Sequence, residues 1–249
     1  MNRVYWDIDK ISMLTDSMNA SSHSHGMMQF FVSLEDSLDI KVKGKKIDTR
    51  CILVNKNIKH AFSTKDKICF TSVIEPVSAF GMALNNLLGD ADYFIPEEGQ
   101  TNLIKVNLLP MTESLNKESY ENLMKVIYES FGFKEAKNRL DDRIKTLLDM
   151  LAHCSCDDHS IEEYADKVFL SPSRLSHLFT EEVGISLKKY LLLHQLERAV
   201  GNILQGKSIT QAALDAGFDS PSHFAFTVKK LMGLPARNTV KNSEFLKVY

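Results

Sequence analysis

Two sets of side chains in this 249-residue chain have the types and spacing to do chemistry. The first is a histidine set, His23-Ser24-His25 and His60, with Gln29 close behind the pair. An HxH pair joined by a third histidine offers borderline nitrogen ligands for a divalent transition metal, or polar walls for a small-molecule pocket. The second set follows two Ser-Pro dipeptides. Ser171, Ser173, Arg174, Ser176 and His177 cluster at the first, and Ser220, Ser222, His223, Phe226, Thr227, Lys229 and Lys230 at the second. Serine, arginine and histidine near the start of an exposed helix suit the edges of bases, an aromatic ring suits a thymine methyl, and lysines further along suit phosphates. A third group, His153-Cys154-Ser155-Cys156-Asp157-Asp158-His159, has atoms for zinc or copper. Near-adjacent ligands on a short connector seldom close a tetrahedron, so this segment reads as an exposed loop.

The second set is positioned by a repeat. IEEYADKVFLSPSRLSHLFTEEVG and ITQAALDAGFDSPSHFAFTVKKLMG align Ile161 with Ile209, Ala165 with Ala213, Ser171-Pro172 with Ser220-Pro221 and Gly184 with Gly233, with a one-residue slip beside Asp219. Each copy predicts an inner helix with a small residue where two helices cross: Ile161, Tyr164, Ala165 and Val168 in one, Ile209, Ala213 and Ala216 in the other. Serine then caps a second helix and proline fills its first turn. Apolar stripes at Leu175, Phe179 and Val183, and at Phe224, Val228 and Met232, turn the polar set outward. Residues 186–205 predict one linker helix, whose Leu187, Tyr190, Leu191, Leu193, Leu196, Ala199, Val200, Ile203 and Leu204 pack on both copies. Two such helix-turn-helix units on a rigid linker predict double-stranded DNA as partner, with two successive visits to the major groove.

From about residue 142 to 241 the sequence resembles the DNA-binding domain of the AraC/XylS family of bacterial transcription regulators. The resemblance is carried by SPSRLSHLF at 171–179, by Leu196-Glu197-Arg198-Ala199, by Ile209 with Ala212-Ala213, by Gly217-Phe218 and by residues 220–224. It implies reading helices over 171–182 and 220–232, with base-facing roles for Ser173, Arg174, His177, Ser222, His223 and Phe226. It also implies a homodimeric, sequence-specific regulator, an activator more often than not, that works with RNA polymerase under control of a small-molecule or protein effector. The sequence departs from the family pattern at Phe226 and Leu231, where polar residues are common, and at the ending Leu234-Pro235-Ala236-Arg237-Asn238. Those departures keep open a regulator that acts mainly through a protein partner and reads promoters weakly.

The remaining residues predict a domain of their own. FFVSL, LDIKVKG, CILV and CFTSVI read as strands, with Gly44 closing one hairpin and Asn55-Lys56-Asn57 forming another turn. From about Ser78 the period becomes helical, first around Phe80 to Leu88 and then over residues 115–131 and 133–151. The expected fold is α+β: a cupin-like antiparallel β-barrel with helices over 1–135, then an all-α double helix-turn-helix domain over 136–249. Enzymatic cupins are similar in having HxH and a later histidine as metal ligands. Here the carboxylate that follows HxH is missing, with Gln29 nearby, so His23, His25, Gln29 and His60 are expected to line an effector pocket, with no metal, no cofactor and no catalysis. A metal-dependent cupin enzyme is the remaining alternative. The amphipathic stretch 114–130 is the candidate dimer interface, with packing on the barrel as its competing use.

Composition agrees. Net charge is -2, unlike a nonspecific nucleic-acid coat, yet from Ser171 onward ten Lys or Arg face six Asp or Glu. Cys51 and Cys69 fall on strands as small core residues, which suits a reducing compartment. No apolar run is long enough to span a bilayer and no basic leader precedes Trp6, so a cytoplasmic location is expected.

Overall fold

Period-two burial organises the first part of the chain. On β4 (Met28–Ser33), Met28, Phe30 and Val32 point to one side while Gln29, Phe31 and Ser33 point to the other, and all six are buried. A strand buried on both faces needs a layer on each, and the structure supplies them. The computed structural model describes residues 1–133, 140–153, 160–183, 185–232 and 243–249. β1 (Asn2–Trp6), β2 (Lys10–Thr15), β4, β7 (Cys51–Val54), β9 (Cys69–Ile74), β10 (Tyr93–Phe94) and β11 (Glu244–Lys247) form a sheet in the order β10-β7-β4-β9-β2-β1-β11. β3 (Asn19–His23), β5 (Asp39–Val42), β6 (Lys45–Ile47) and β8 (His60–Ser63) form a second, in the order β3-β8-β5-β6. The β5–β6 hairpin turns at Lys43 and Gly44, both at positive φ (49° and 81°), as a tight hairpin with the right twist requires.

Helices cover the outer face of the larger sheet. α1 (Ala79–Leu88), α2 (Glu98–Leu108), α3 (Pro110–Glu113) and α4 (Lys117–Ser130) bury Phe80, Leu84, Ile104, Leu108, Met111, Tyr120, Leu123, Met124 and Ile127 in one cluster with Tyr5, Leu14, Phe30, Leu53 and Phe70. Tyr120 stacks on Tyr5 with ring centroids 5.0 Å apart and planes 7° from parallel. The apolar face of α4 is therefore consumed within this core. The expectation of a dimer interface on that face gives way to its competing use.

Other expectations are corrected as well. The sheets are open: among the described residues no pairing returns to close a barrel. Three strands, β1, β2 and β3, precede the four runs read as strands from the sequence, and His23 ends β3. β2 lacks alternation because its Lys10, Ser12 and Thr15 are buried along with its apolar residues, and β3, NASSH, offers no apolar run at all. α2 was hidden because Leu103 and Val106 are exposed, which blurs its helical period. The helix expected over 133–151 is seen as α5 from Asp142 to His153, and Cys154, Cys156 and His159 lie outside the described residues.

The chain divides into two compact units, one comprising Met1–Pro76, Phe80–Glu135 and Ala225–Tyr249, the other Val77–Ala79 and Ala136–Phe224. The second unit holds α5, α6 (Ile161–Lys167), α7 (Pro172–Val183), α8 (Leu187–Leu204) and α9 (Ile209–Asp215), and the division falls within α10 (Pro221–Met232). The sequence repeat reappears in its backbone. After α6, Phe169 N–H donates to the Asp166 carbonyl (3.1 Å) and Leu170 N–H to the Ala165 carbonyl (2.9 Å). After α9, Gly217 N–H donates to Leu214 (2.9 Å) and Phe218 N–H to Ala213 (3.0 Å). Phe169 and Gly217 occupy the same left-handed position, at φ 57° and 85°, so the one-residue slip falls at Asp219.

Glycine meets that position without strain, whereas Phe169 has a side chain that is 94% exposed and gains no packing in return. Replacing Phe169 with Gly is expected to raise stability by up to about 1 kcal/mol, and Gly217→Ala to lower it by about 1 kcal/mol, in denaturant unfolding of the full chain. A destabilised Phe169→Gly variant would show that the ring has a packing role.

Candidate functional site

The histidine set comes together between the two sheets. His23 ends β3 and lies directly across from His60 on β8, beside a register shift between Ala20 and His23. His25 follows in the connection to β4, where Asn57, at φ 62° in the turn before β8, donates its N–H to the His25 carbonyl (2.8 Å). The rings pack closely, with centroids 4.5 Å apart for His23 and His60, 5.1 Å for His25 and His60, and 5.5 Å for His23 and His25. Gln29 enters from β4 on the same face as Phe31, whose ring meets Phe62 of the second sheet at 4.6 Å. His25 and His60 are buried and His23 is half-buried.

Each Nδ1 faces a backbone carbonyl: Ser21 for His23 (2.7 Å), Met27 for His25 (3.0 Å) and Ile58 for His60 (2.8 Å). A carbonyl only accepts, so each Nδ1 carries a proton and any lone pair is left to Nε2. The Gln29 amide end lies 3.0 Å from His25 Nε2 and 3.1 Å from His60 Nε2, with its other end 2.9 Å from Thr71 Oγ1. An amide oxygen facing the rings demands two doubly protonated imidazoles, whereas an amide NH2 there serves two neutral ones while Thr71 donates to the oxygen. Burial pushes His60 down to about 4 and also lowers His25. The structure has the amide oxygen toward the rings and the NH2 toward Thr71; burial, by lowering both histidines, works against that arrangement, and reversing the amide relieves it. His23 Nε2, also buried, has no hydrogen-bond partner. Thr71 was missed in the sequence because nothing local marks a β9 threonine as the anchor of a β4 glutamine.

In the second unit, Ala165, Leu175, Leu178, Phe179, Leu187, Tyr190, Leu196, Ala212 and Ala213 are all buried, and α8 packs on both α7 and α9. α8 also holds the end of α9 by hydrogen bonds. Arg198 donates to the Asp215 carbonyl (3.1 Å) and Gln195 to the Gly217 carbonyl (3.3 Å), two carbonyls that the helix itself leaves unpaired. Ser171 Oγ accepts from Arg174 N–H at 3.2 Å, and Ser220 Oγ accepts from His223 N–H at 3.1 Å. Both serines thus cap the helices they precede.

Ser173, Arg174 and His177 are exposed on α7, and Ser222, His223, Phe226, Lys229 and Lys230 on α10, while Ser176 is partly covered and donates to the Pro172 carbonyl (2.9 Å). Phe226 is 64% exposed. Thr227, expected on the outward face, is instead buried beside Val228, because it continues the inward stripe one residue earlier. Leu178 is buried too, widening the α7 stripe beyond Leu175 and Phe179. His223 is braced by the Asp219 carboxylate (3.3 Å) and by an edge contact with Phe218. The inserted residue of the second copy therefore orients an outward side chain.

Serine caps at Ser160, Ser171, Ser208 and Ser220, an inner and an outer helix in each copy and an exposed polar row on each outer helix define a helix-turn-helix module, carried in a chain with a β-rich domain. Residues 164–242 match the model of a family described as a helix-turn-helix domain. Over 90 residues the chain is 32% identical to an uncharacterized helix-turn-helix transcriptional regulator of Staphylococcus aureus, covering 36% of this chain and 12% of that protein. Over 155 residues it is 27% identical to the arabinose operon regulatory protein of Escherichia coli, covering 62% of this chain and 47% of that one. The chain thus spans about an eighth of the staphylococcal relative's length and less than half of the arabinose regulator's. In structure it resembles an apo variant of ToxT from Vibrio cholerae, with a TM-score of 0.51 at 12% identity over 93% of this chain and 97% of that one, a likeness of fold. Residues 164–242 thus match a helix-turn-helix domain family, and the arabinose operon regulatory proteins of Escherichia coli and Salmonella typhimurium are among the relatives the chain resembles.

The paired caps give a direct check on how the outer helices are held. Ser171→Ala and Ser220→Ala are each expected to cost about 1 kcal/mol in chemical unfolding, and Ser→Gly at either place only a few tenths. A loss below about 0.2 kcal/mol for both alanines would mean that proline and packing alone set these helix starts.

Proposed function

We propose that the chain is a sequence-specific DNA-binding regulator of transcription whose outer helices α7 and α10 enter the major groove of promoter DNA. The observation that carries this reading is the duplicated arrangement of a capped helix with an outward polar row, repeated down to the backbone bonds of the turn. Arg174 lies in the first turn of α7 with its guanidinium exposed, where a bidentate pair with a guanine edge is within the reach of its side chain. Ser173 and His177 flank it. On α10, Ser222, His223 and Phe226 take the corresponding places, and Phe226 favours thymine methyls. Lys229 and Lys230, exposed in the last turns of that helix, contact phosphates. Ser171 and Ser220 act through their caps, which aim helix N-termini at the backbone.

The β-rich part takes the regulatory role, with His23, His25, Gln29 and His60 as the effector pocket. An activating output through RNA polymerase and a cytoplasmic location complete the reading. No helix among the described residues is long and apolar enough to cross a membrane. A homodimer fits the same reading. With the inner face of α4 occupied, the exposed row Leu103, Val106 and Leu109 along α2 and its end is the surface we assign to a second copy.

Selection of bound genomic fragments followed by footprinting tests the main proposal. Arg174→Ala is expected to cost about 1 to 3 kcal/mol at the preferred site and little elsewhere, whereas Lys229→Ala and Lys230→Ala weaken binding to all sequences and each flatten the salt dependence by about one unit of slope. An equal loss on every sequence for Arg174→Ala would make it a phosphate contact. Val106→Asp is expected to shift the sedimentation of the protein toward monomer, and an unchanged profile would move the interface elsewhere.

A further inference from the structure

We propose that His23, His25 and His60 bind a divalent late transition-metal ion through their three Nε2 atoms. The tautomers are already set for it. Every Nδ1 proton is spent on a carbonyl, the outer contact that fixes ring orientation in metal-bound histidines and raises the basicity of the other nitrogen. One ring nitrogen from each histidine lies within 4.8 Å of the others, and with the Nδ1 atoms facing carbonyls it is Nε2 that each ring has to offer an ion. Three nitrogens bonded at about 2.0–2.1 Å to one ion stand roughly 3.3 Å apart, so the three rings must draw closer to complete the set. The half-buried His23, at the end of β3 beside the register shift, is the ring placed to make that movement.

His23 Nε2 is the independent sign of a ligand. It is a buried acceptor with no partner, in a cluster where the other two Nε2 atoms share one amide. Buried polar atoms are rarely left unmet, and a cation at the centre of the three rings satisfies this one. The donor set selects the ion. Imidazole nitrogens with a single amide and no carboxylate suit zinc, nickel, cobalt or copper and are poor for magnesium or calcium. Gln29 either turns its oxygen to the ion as a fourth ligand or withdraws toward Thr71. The sequence alone had weighed against a metal for want of a carboxylate; what it did not display is the common tautomer of the three rings.

The site stands on its own geometry, while its role as the effector rests on the regulator reading above. The test uses the full chain freed of metal by chelator and titrated with cobalt(II), with zinc competition and elemental analysis after dialysis. One equivalent with visible ligand-field absorption, displaced by zinc, is expected. His23→Ala, half-buried and so tolerable to the fold, should weaken binding at least tenfold, with circular dichroism checking that the fold persists. Gln29→Glu should tighten it at least tenfold by returning a carboxylate to the site. A Cys154→Ser, Cys156→Ser double variant should bind as the parent does. No binding of cobalt, zinc or nickel, indifference to both His23→Ala and Gln29→Glu, or loss with the double serine variant would overturn the site. Footprinting with and without zinc then separates the role: changed DNA affinity supports the ion as effector, and full occupancy with unchanged DNA affinity overturns that role while the site stands. A protein that binds one metal and no DNA would count against the regulator reading instead.

Discussion

The ends of short helices govern this structure. A helix of seven residues such as α6 or α9 has about as many unsatisfied backbone groups as satisfied ones, so its direction is fixed only if those groups find partners. In both copies they do. A serine closes the front, and a left-handed residue folds the last N–H groups back onto the final carbonyls. The next helix then starts within a few residues at a set angle. The start of α7 and α10 a few residues after the preceding helix, and with it the place of Arg174 and His223 in the first turn, follows from that closure. α8 extends the principle by offering Arg198 and Gln195 to carbonyls that α9 cannot pair.

The β-rich part answers a different constraint. β4 is buried on both faces, so the same six residues must satisfy two environments. Its even-numbered residues meet an apolar helical layer. Its odd-numbered residues meet the second sheet, where Phe31 packs apolar against Phe62 while Gln29 is left among histidines. Gln29 is tolerable there because each of its amide atoms has a partner: two rings at one end and Thr71 at the other. The polarity of the pocket is thus confined to one corner of an otherwise apolar interface, where a single strand crosses from packing to recognition.

The C-terminal half was the more legible in sequence because its signals are local. Ser-Pro at fixed distance from a small residue, and the helical spacing of Leu175 and Phe179, report on neighbours within one or two turns. Thr227 shows the limit of such reading: a β-branched polar residue at the border of a stripe can face either way, and tertiary burial decides. In the N-terminal half the decisive contacts are long-range. β3 has no apolar residue beyond Ala20, and β2 hides its strand character because its buried polar residues have partners, Lys10 between Asp7 and Asp9 and Ser12 with Ser72. The histidines were visible as a set, while their tautomers depend on carbonyls whose positions only the fold supplies.

β11 lies parallel to β1, pairing Arg3 with Glu244 and Trp6 with Lys247, with an Arg3–Glu244 ion pair at 2.6 Å and Val248 in the core beyond. These partners are separated by 241 positions in the chain. During synthesis the edge of β1 is consequently made long before β11 can cover it. At roughly 5–20 residues per second, it waits on the order of 10 to 50 seconds for its neighbour. Throughout that interval the sheet ends in an unpaired strand able to accept another chain. The nascent protein is most exposed to mispairing not where its sequence is most apolar, but where β1 awaits β11.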